Sequence, residues 1–135
     1  MYLNQIVGLL DLLDIRLFLL LEQFLEIQFD FVTFTKDKGD YDDEIQALGG
    51  KIIPLSGSNS IQRMFELKYF LKRHSEYQIV HSHVLLNNAF HLLAAKQAGV
   101  KHRISHSHNT SNGKSGSAAN MYERLAIYLN KTLST

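Results

Sequence analysis

The stretch YQIVHSHVLLNNAFHLLAAKQAGVKHRISHSHN, Tyr77–Asn109, decides the fold. It opens on a short apolar run rich in β-branched residues, YQIVHSH, which reads as a strand. LLNNAFHLLAAKQAG follows with helical periodicity and stops at Gly99, a residue suited to the left-handed turn that ends a helix. VKHRISHSH then supplies a second strand. A strand, a helix and a strand of these lengths form a βαβ unit, and its two strands are parallel. Both strands finish on the same triplet, His-Ser-His, at His81–His83 and His106–His108.

The same alternation extends in both directions. Upstream, YLNQIVG reads as a first strand and Leu9–Glu26 as a helix. IQFDFVTFT (Ile27–Thr35) is a buried strand, and KDKGD a polar turn. Asp40 is the expected cap of a short helix carrying Asp42, Asp43 and Glu44 in its first turn, the sign favoured by the helix dipole. Lys51–Leu55 is the next strand; Ser60 is the expected cap of a helix over Ile61–His74. Downstream, the polar loop NTSNGKSGS leads into a last helix over Ala118–Leu133. Repeated strand–helix alternation predicts an α/β fold, a parallel Rossmann-like sheet with helices on both faces and right-handed crossovers.

Composition limits the functions available. The 135 residues suit one domain, 45% hydrophobic and 20% charged, with a formal net charge of +1. No global field draws such a chain to nucleic acid or to an acidic membrane. The absence of cysteine removes disulfides, thiolate ligands and Cys nucleophiles. The leucine-rich stretch VGLLDLLDIRLFLLLEQFLEIQF is broken by Asp11, Asp14, Arg16, Glu22 and Glu26, so it is too short in any uncharged run to span a bilayer. It reads as a buried or amphipathic helix with a face able to rest on a membrane surface. The last helix runs almost to the end of the sequence, where a further strand is expected, so the 135 residues read as a single but incomplete domain.

In an open parallel sheet, ligands bind beyond the carboxyl ends of the strands, where both His-Ser-His triplets fall. Residues two apart on a strand share a face, which aligns His81 with His83 and His106 with His108. Three readings follow. Paired imidazoles suit a metal ion such as zinc, although no carboxylate accompanies either pair in sequence. Imidazole, serine hydroxyl and backbone N–H groups suit polar recognition of a sugar or phosphate, the reading favoured for His83 and His108. Alternatively, His81 and His106 are half-buried structural residues. Gly113-Lys114-Ser115 imitates the end of a phosphate loop, but His108 occupies the place of its first glycine and no partner motif follows, which argues against an ATPase. The loop then either holds an anion before a helix or is plain surface. The acidic KGDYDDEI and the face Tyr122-Glu123-Arg124 read as solvated surface.

From Ile27 onward the chain resembles the N-terminal domain of bacterial family 4 glycosyltransferases of the GT-B type, especially those of exopolysaccharide and capsule biosynthesis. FDFVTF, KGDYDDEIQALGGKIIPL, YQIVHSH, LLAAKQAGVKHRISHSHNTS and YERL carry the resemblance, in that order. It implies an acceptor-side domain of an enzyme moving a sugar from a nucleotide-sugar donor to a saccharide or lipid-linked acceptor, with retention, in the cytoplasm or at the inner face of the plasma membrane. His108 is then the catalytic candidate, near the donor sugar. His83, His106, Asn109, Thr110 and Ser111 form the substrate-binding set, and no cofactor or metal is expected.

The chain departs from the family at Gly8, where LLDLLDIRLFLLLEQFLE replaces a glycine-rich turn. It also lacks the donor domain with its paired glutamates, so inactivity of the isolated chain is expected. Two other readings stay open: a metal-dependent hydrolase using the strand-end histidines, and a non-catalytic fragment or subunit that binds a separate donor-domain chain.

Overall fold

The computed structural model describes residues 4–9, 27–82, 88–105 and 117–135, with side chains over 28–82, 88–105 and much of 121–135. Five strands form one parallel sheet: β1 (Asn4–Leu9), β2 (Ile27–Thr33), β3 (Ile52–Pro54), β4 (Tyr77–Ser82) and β5 (His102–Ser105), in the order β3-β2-β1-β4-β5. The helices are α1 (Asp42–Ala47), α2 (Ser60–Arg73), α3 (Asn88–Ala98) and α4 (Ser117–Leu133). The expected helix over Leu9–Glu26 falls, apart from Leu9, outside the described residues.

Alternation along β2 sorts the two faces. Phe29 and Phe31 point to one side, where they pack with Ile45 of α1 and with Tyr41, Leu48, Ile52 and Ile79. Val32 points to the other, against Leu67, Phe70 and Leu71 of α2 and Ala94 and Ala95 of α3. The expectation of helices on both faces therefore holds, for the reason that a strand buried on two sides needs apolar residues at odd and even positions alike. The order reverses after β3. The chain returns past β2 and β1 to lay β4 on the far side of β1, making β1/β4 the switch point of the sheet.

Several element ends differ from expectation. The cap of α2 is Asn59, not Ser60: its extended backbone lets Oδ1 accept from the Gln62 N–H at 3.0 Å. Gln62 Oε1 reaches back to accept from the Ser58 N–H and hydroxyl, a reciprocal arrangement close to a capping box. Ser60 is already the first helical residue. Asp40 does not cap α1 either. The helix begins one turn-residue later, behind Tyr41, which makes no side-chain cap bond, while Asp42 Oδ2 accepts the Gly39 N–H at 3.0 Å. The acidic first turn is surface, as expected, with Lys38 Nζ 2.7 Å from Asp43. Helix ends at glycine were legible. Gly99 has φ +88, and the Val100 and Gly99 N–H groups return to the carbonyls of Ala95 and Lys96, closing α3 in a Schellman turn. Strands β2 and β3 are shorter than their apolar runs, and β5 starts two residues later than its own.

One buried carboxyl group fastens the middle of the sheet. Asp30 on β2 is fully buried. Its Oδ1 accepts from the Lys51 N–H at 2.8 Å and from Gln28 Nε2 at 3.1 Å; its Oδ2 accepts the Tyr77 hydroxyl at 2.5 Å. Tyr77 opens β4, so this bond reaches across β1. The β1/β4 register shifts between Gln5 and Ile6, which pair with Tyr77 and Ile79. That irregularity lets Tyr77 join Val80 on one face although the two are three residues apart. Burial, then the hydrogen bond to Asp30, drives the Tyr77 hydroxyl far above its usual titration range, so it stays a donor.

Removing the acceptor leaves the buried Tyr77 hydroxyl and the half-buried Lys51 N–H without it, while Gln28 Nε2 keeps the Gly49 carbonyl. Asp30→Ala is expected to cost about 3 kcal/mol and Tyr77→Phe about 1 kcal/mol in urea unfolding, with the slope unchanged. A loss below about 1 kcal/mol for Asp30→Ala would show that this carboxyl group does not fasten the sheet.

Candidate functional site at the carboxyl edge of the sheet

The switch point brings the ends of β1 and β4 together: Gly8 pairs with His81 and Leu9 with Ser82. On the other side, Ser82 pairs with Ser105, the last residue of β5. Ser82 and Ser105 are therefore adjacent and in register, while His81 pairs with Ile104 and not with a histidine of the second triplet. His81 sits on β4, half-buried, as one of the readings of the sequence expected. His83, His106, His108, Asn109, Thr110 and Ser111 lie outside the described residues, as do Gly113, Lys114 and Ser115. Among the described residues no three His, Cys, Asp or Glu side chains converge as a metal-binding group. Three of the four strand-end histidines in the metal reading are not among those residues.

The edge is organised by residues that the sequence reading passed over. The Ser82 hydroxyl donates to Asn88 Oδ1 at 2.6 Å, and Asn88 Nδ2 donates to Ser105 Oγ at 3.0 Å. Asn88, fully buried at the start of α3, thus ties the last residues of β4 and β5 to each other. His91, one helical turn later and only 3% exposed, places Nδ1 3.2 Å from Ser82 Oγ. Since the single Ser82 proton goes to Asn88, His91 Nδ1 carries the proton it donates to Ser82, and Nε2 keeps the lone pair. The signal for this cluster was present in NNAFH. An asparagine and a histidine three apart share one face of a helix whose other buried residues are Ala and Leu.

A second group joins the cluster from the far side of β1. Phe34, just past β2, stacks on the His91 ring with centroids 5.6 Å apart and an interplanar angle of 18°. The Arg63 guanidinium lies 5.1 Å from the Phe34 centroid, and its Nε donates to the Gly57 carbonyl at 3.1 Å. The ends of β2, β3 and β4 and the starts of α2 and α3 are thereby fixed to one another. Burial, aided by the Arg63 charge, pushes His91 down to about 4, so at neutral pH it is an uncharged acceptor and donor. A cavity of about 140 Å³ lined by Leu71, Tyr77, Gly99 and Lys101 opens at the opposite, amino-terminal edge and takes no part in this arrangement.

No protein-family model matches the chain. A Bacillus subtilis (strain 168) protein described as "Putative glycosyltransferase EpsF" is 39% identical over 89 residues, which is 64% of this chain and 23% of that protein. The crystal structure of Acinetobacter baumannii MurG, a GT-B fold, superposes with a TM-score of 0.57 at 12% identity, covering 91% of this chain and 38% of that one. The chain therefore spans about a quarter of the curated relative it matches, and less than half of the solved structure.

His91 makes stability depend on pH in a fixed direction. Its folded value lies below the ordinary 6.5, so the native state favours the neutral ring. The stabilisation is complete above about pH 6.5 and is lost as pH falls toward 4, by roughly 3 kcal/mol in all. Urea unfolding at neutral pH and near pH 4.5 is expected to show a smaller difference for His91→Gln than for the parent chain; equal differences would remove His91 as the source.

In sequence the chain is similar to a described glycosyltransferase, and its fold is that of the Rossmann-like half of a GT-B enzyme.

Proposed function

We propose that this chain is the acceptor-side half of a glycosyltransferase that transfers a sugar from a nucleotide-sugar donor to a saccharide or lipid-linked acceptor, in exopolysaccharide or capsule synthesis. The observation that carries the reading is the pairing of the Ser82 and Ser105 strand ends beside the switch point, locked by Asn88, in a chain that is 39% identical over 89 residues to a described glycosyltransferase. Each locked serine is followed at once by a histidine, His83 or His106, and His108 follows two residues later.

In this reading His83 shapes the acceptor pocket, while His106, Asn109, Thr110 and Ser111 donate to sugar hydroxyls. His108 contacts the donor sugar and stabilises charge that develops at the transferred carbon. An imidazole within hydrogen-bond reach of that centre can share a proton or offset the charge. The buried Asn88–Ser82–His91 cluster positions the strand ends without touching substrate. The donor nucleotide is bound by the second lobe of a GT-B enzyme, which is where a separate donor-domain chain would act if the two lobes were separate polypeptides. The reaction is placed in the cytoplasm or at the inner face of the plasma membrane, where nucleotide sugars and lipid-linked acceptors meet. No helix among the described residues is long and apolar enough to cross a membrane.

The test separates binding from turnover. The purified 135-residue protein is expected to hydrolyse or transfer from no nucleotide sugar, yet to show saccharide-dependent shifts of the His83 and His108 imidazole NMR signals. His108→Ala is expected to weaken saccharide binding by about tenfold, the value of one hydrogen bond of ~1.4 kcal/mol. Turnover by the isolated chain would overturn the half-enzyme reading. Unmoved imidazole signals at saturating saccharide would overturn the acceptor role.

A further inference from the structure

Helix α4 turns an apolar row away from the sheet. Met121, Leu125 and Tyr128 are 72%, 53% and 64% exposed. Their spacing, four and then three, is that of a helix–helix seam, and Ala118 and Thr132 extend the same row by position. The covering side of the helix is a different one. Leu129 and Asn130 are half-buried, Leu133 is buried, and the helix packs against α3 and β5. Its end is fastened to the sheet: Arg103 Nε donates to the Leu133 carbonyl at 2.7 Å, and the Thr135 N–H donates to the Arg103 carbonyl at 2.8 Å. The row is therefore presented on a fixed helix of 17 residues, ~25 Å long at about 1.5 Å per residue.

Charge sits on one flank of the row. Arg124 and Lys131, both exposed, each directly precede a residue of the seam, Leu125 and Thr132, so they line the same side of it one heptad apart. On the other side comes Leu129, which the domain already half-covers. Glu123, the helix's one acidic residue, stands two positions before Leu125, about 200° round the helix and so off the seam. The outer face of α4 is thus an apolar seam with a cationic border along one side.

From this juxtaposition we propose that the outer face of α4 is a docking surface for an amphipathic helix of a partner protein. The partner's apolar residues fill the Met121–Leu125–Tyr128 seam, and its facing flank carries Asp or Glu opposite Arg124 and Lys131. The shape fits a helix, because the apolar surface is one helix long and one row wide, with anchors at intervals of three and four. Charge decides between such a partner and a second copy of this chain. In an antiparallel pair of α4 helices the cationic flank meets itself, Arg124 against Lys131, and like charges there oppose pairing. In a parallel pair it meets the Leu129 side of the copy, which that copy's own domain already half-covers. A partner with carboxylates on that flank turns the conflict into attraction, and the same charges repel helices with basic flanks. The surface stands on α4 alone and does not require the transferase reading.

The test is fluorescence anisotropy of two labelled three-heptad peptides titrated with the full 135-residue chain. Both carry Leu at the seam positions; one has Glu and the other Lys on both flanks, so neither pairs with itself. The Glu peptide is expected to bind, and the Lys peptide to bind at least about tenfold more weakly. Met121→Ser with Leu125→Ser is expected to weaken Glu-peptide binding about tenfold or more while leaving the thermal melt unchanged, since both side chains face solvent. Arg124→Glu with Lys131→Glu is expected to reverse the preference toward the Lys peptide. A matched reversal on another helix, Lys68→Glu with Lys72→Glu on α2, is expected to leave the preference as it was. Binding of neither peptide, equal binding of both, or a preference moved alike by the two reversals would overturn the proposal. A concentration-dependent dimer lost in Met121→Ser with Leu125→Ser, without peptide binding, would overturn it in favour of a second copy. Sedimentation with phosphatidylglycerol vesicles lost in that same pair, again without peptide binding, would overturn it in favour of a lipid surface.

Discussion

The sheet depends on a carboxyl group whose partners among the described residues are all uncharged donors. Asp30 is fully buried in the strand next to the switch point, and three donors converge on it from β2, from the residue preceding β3 and from β4. A buried acceptor is tolerated only when its lone pairs are filled, and here a backbone N–H, an amide and a phenol fill them. The consequence is directional. The Tyr77 hydroxyl can reach Asp30 across β1 only if β4 begins where it does, and the register shift beside Gln5 allows that beginning. Once this bond is made, the registers of β2, β3 and β4 are no longer independent of one another.

The carboxyl edge is held differently. There the ties are neutral: a serine hydroxyl, an asparagine amide, a histidine kept uncharged by burial and a phenylalanine stacked against it. Neutral groups fix the backbone at this edge without adding a field of their own. His91 illustrates the balance. Protonation would place a second cation near Arg63 in a dry environment, so the ring stays neutral and its Nδ1–H stays directed at Ser82. Charge and apolar surface appear together instead on the outside of α2, where Lys68 lies over the rings of Phe65 and Tyr69.

Most of the architecture was legible because a parallel sheet imposes a strong pattern. Phe29, Phe31 and Val32 already announce burial on two sides, and Gly99 announces the end of α3 through the left-handed backbone that glycine adopts without strain. The caps were misplaced by one position: at Asn59 because capping depends on the backbone angle that aims a side-chain oxygen, which adjacent Asn59 and Ser60 do not reveal in sequence, and at Tyr41 because that helix starts with no side-chain cap bond. The site was legible only as an edge. The histidine triplets drew attention to the strand ends, but Asn88 and His91, which hold those ends, lie on a helix and look like interior residues of an ordinary amphipathic segment.

The sequence by itself determined the alternation of strands and helices along the chain and the two-sided burial of the sheet, since each follows from periodicities of two and 3.6. Only the tertiary structure decided that Asp30 faces Tyr77 across an intervening strand, that Asn88 spans Ser82 and Ser105, and that α4 turns the row of Met121, Leu125 and Tyr128 outward. The physical reason is range. Local pattern reports which side of an element is buried, whereas a hydrogen bond between residues 47 positions apart depends on the relative placement of strands that no local pattern contains.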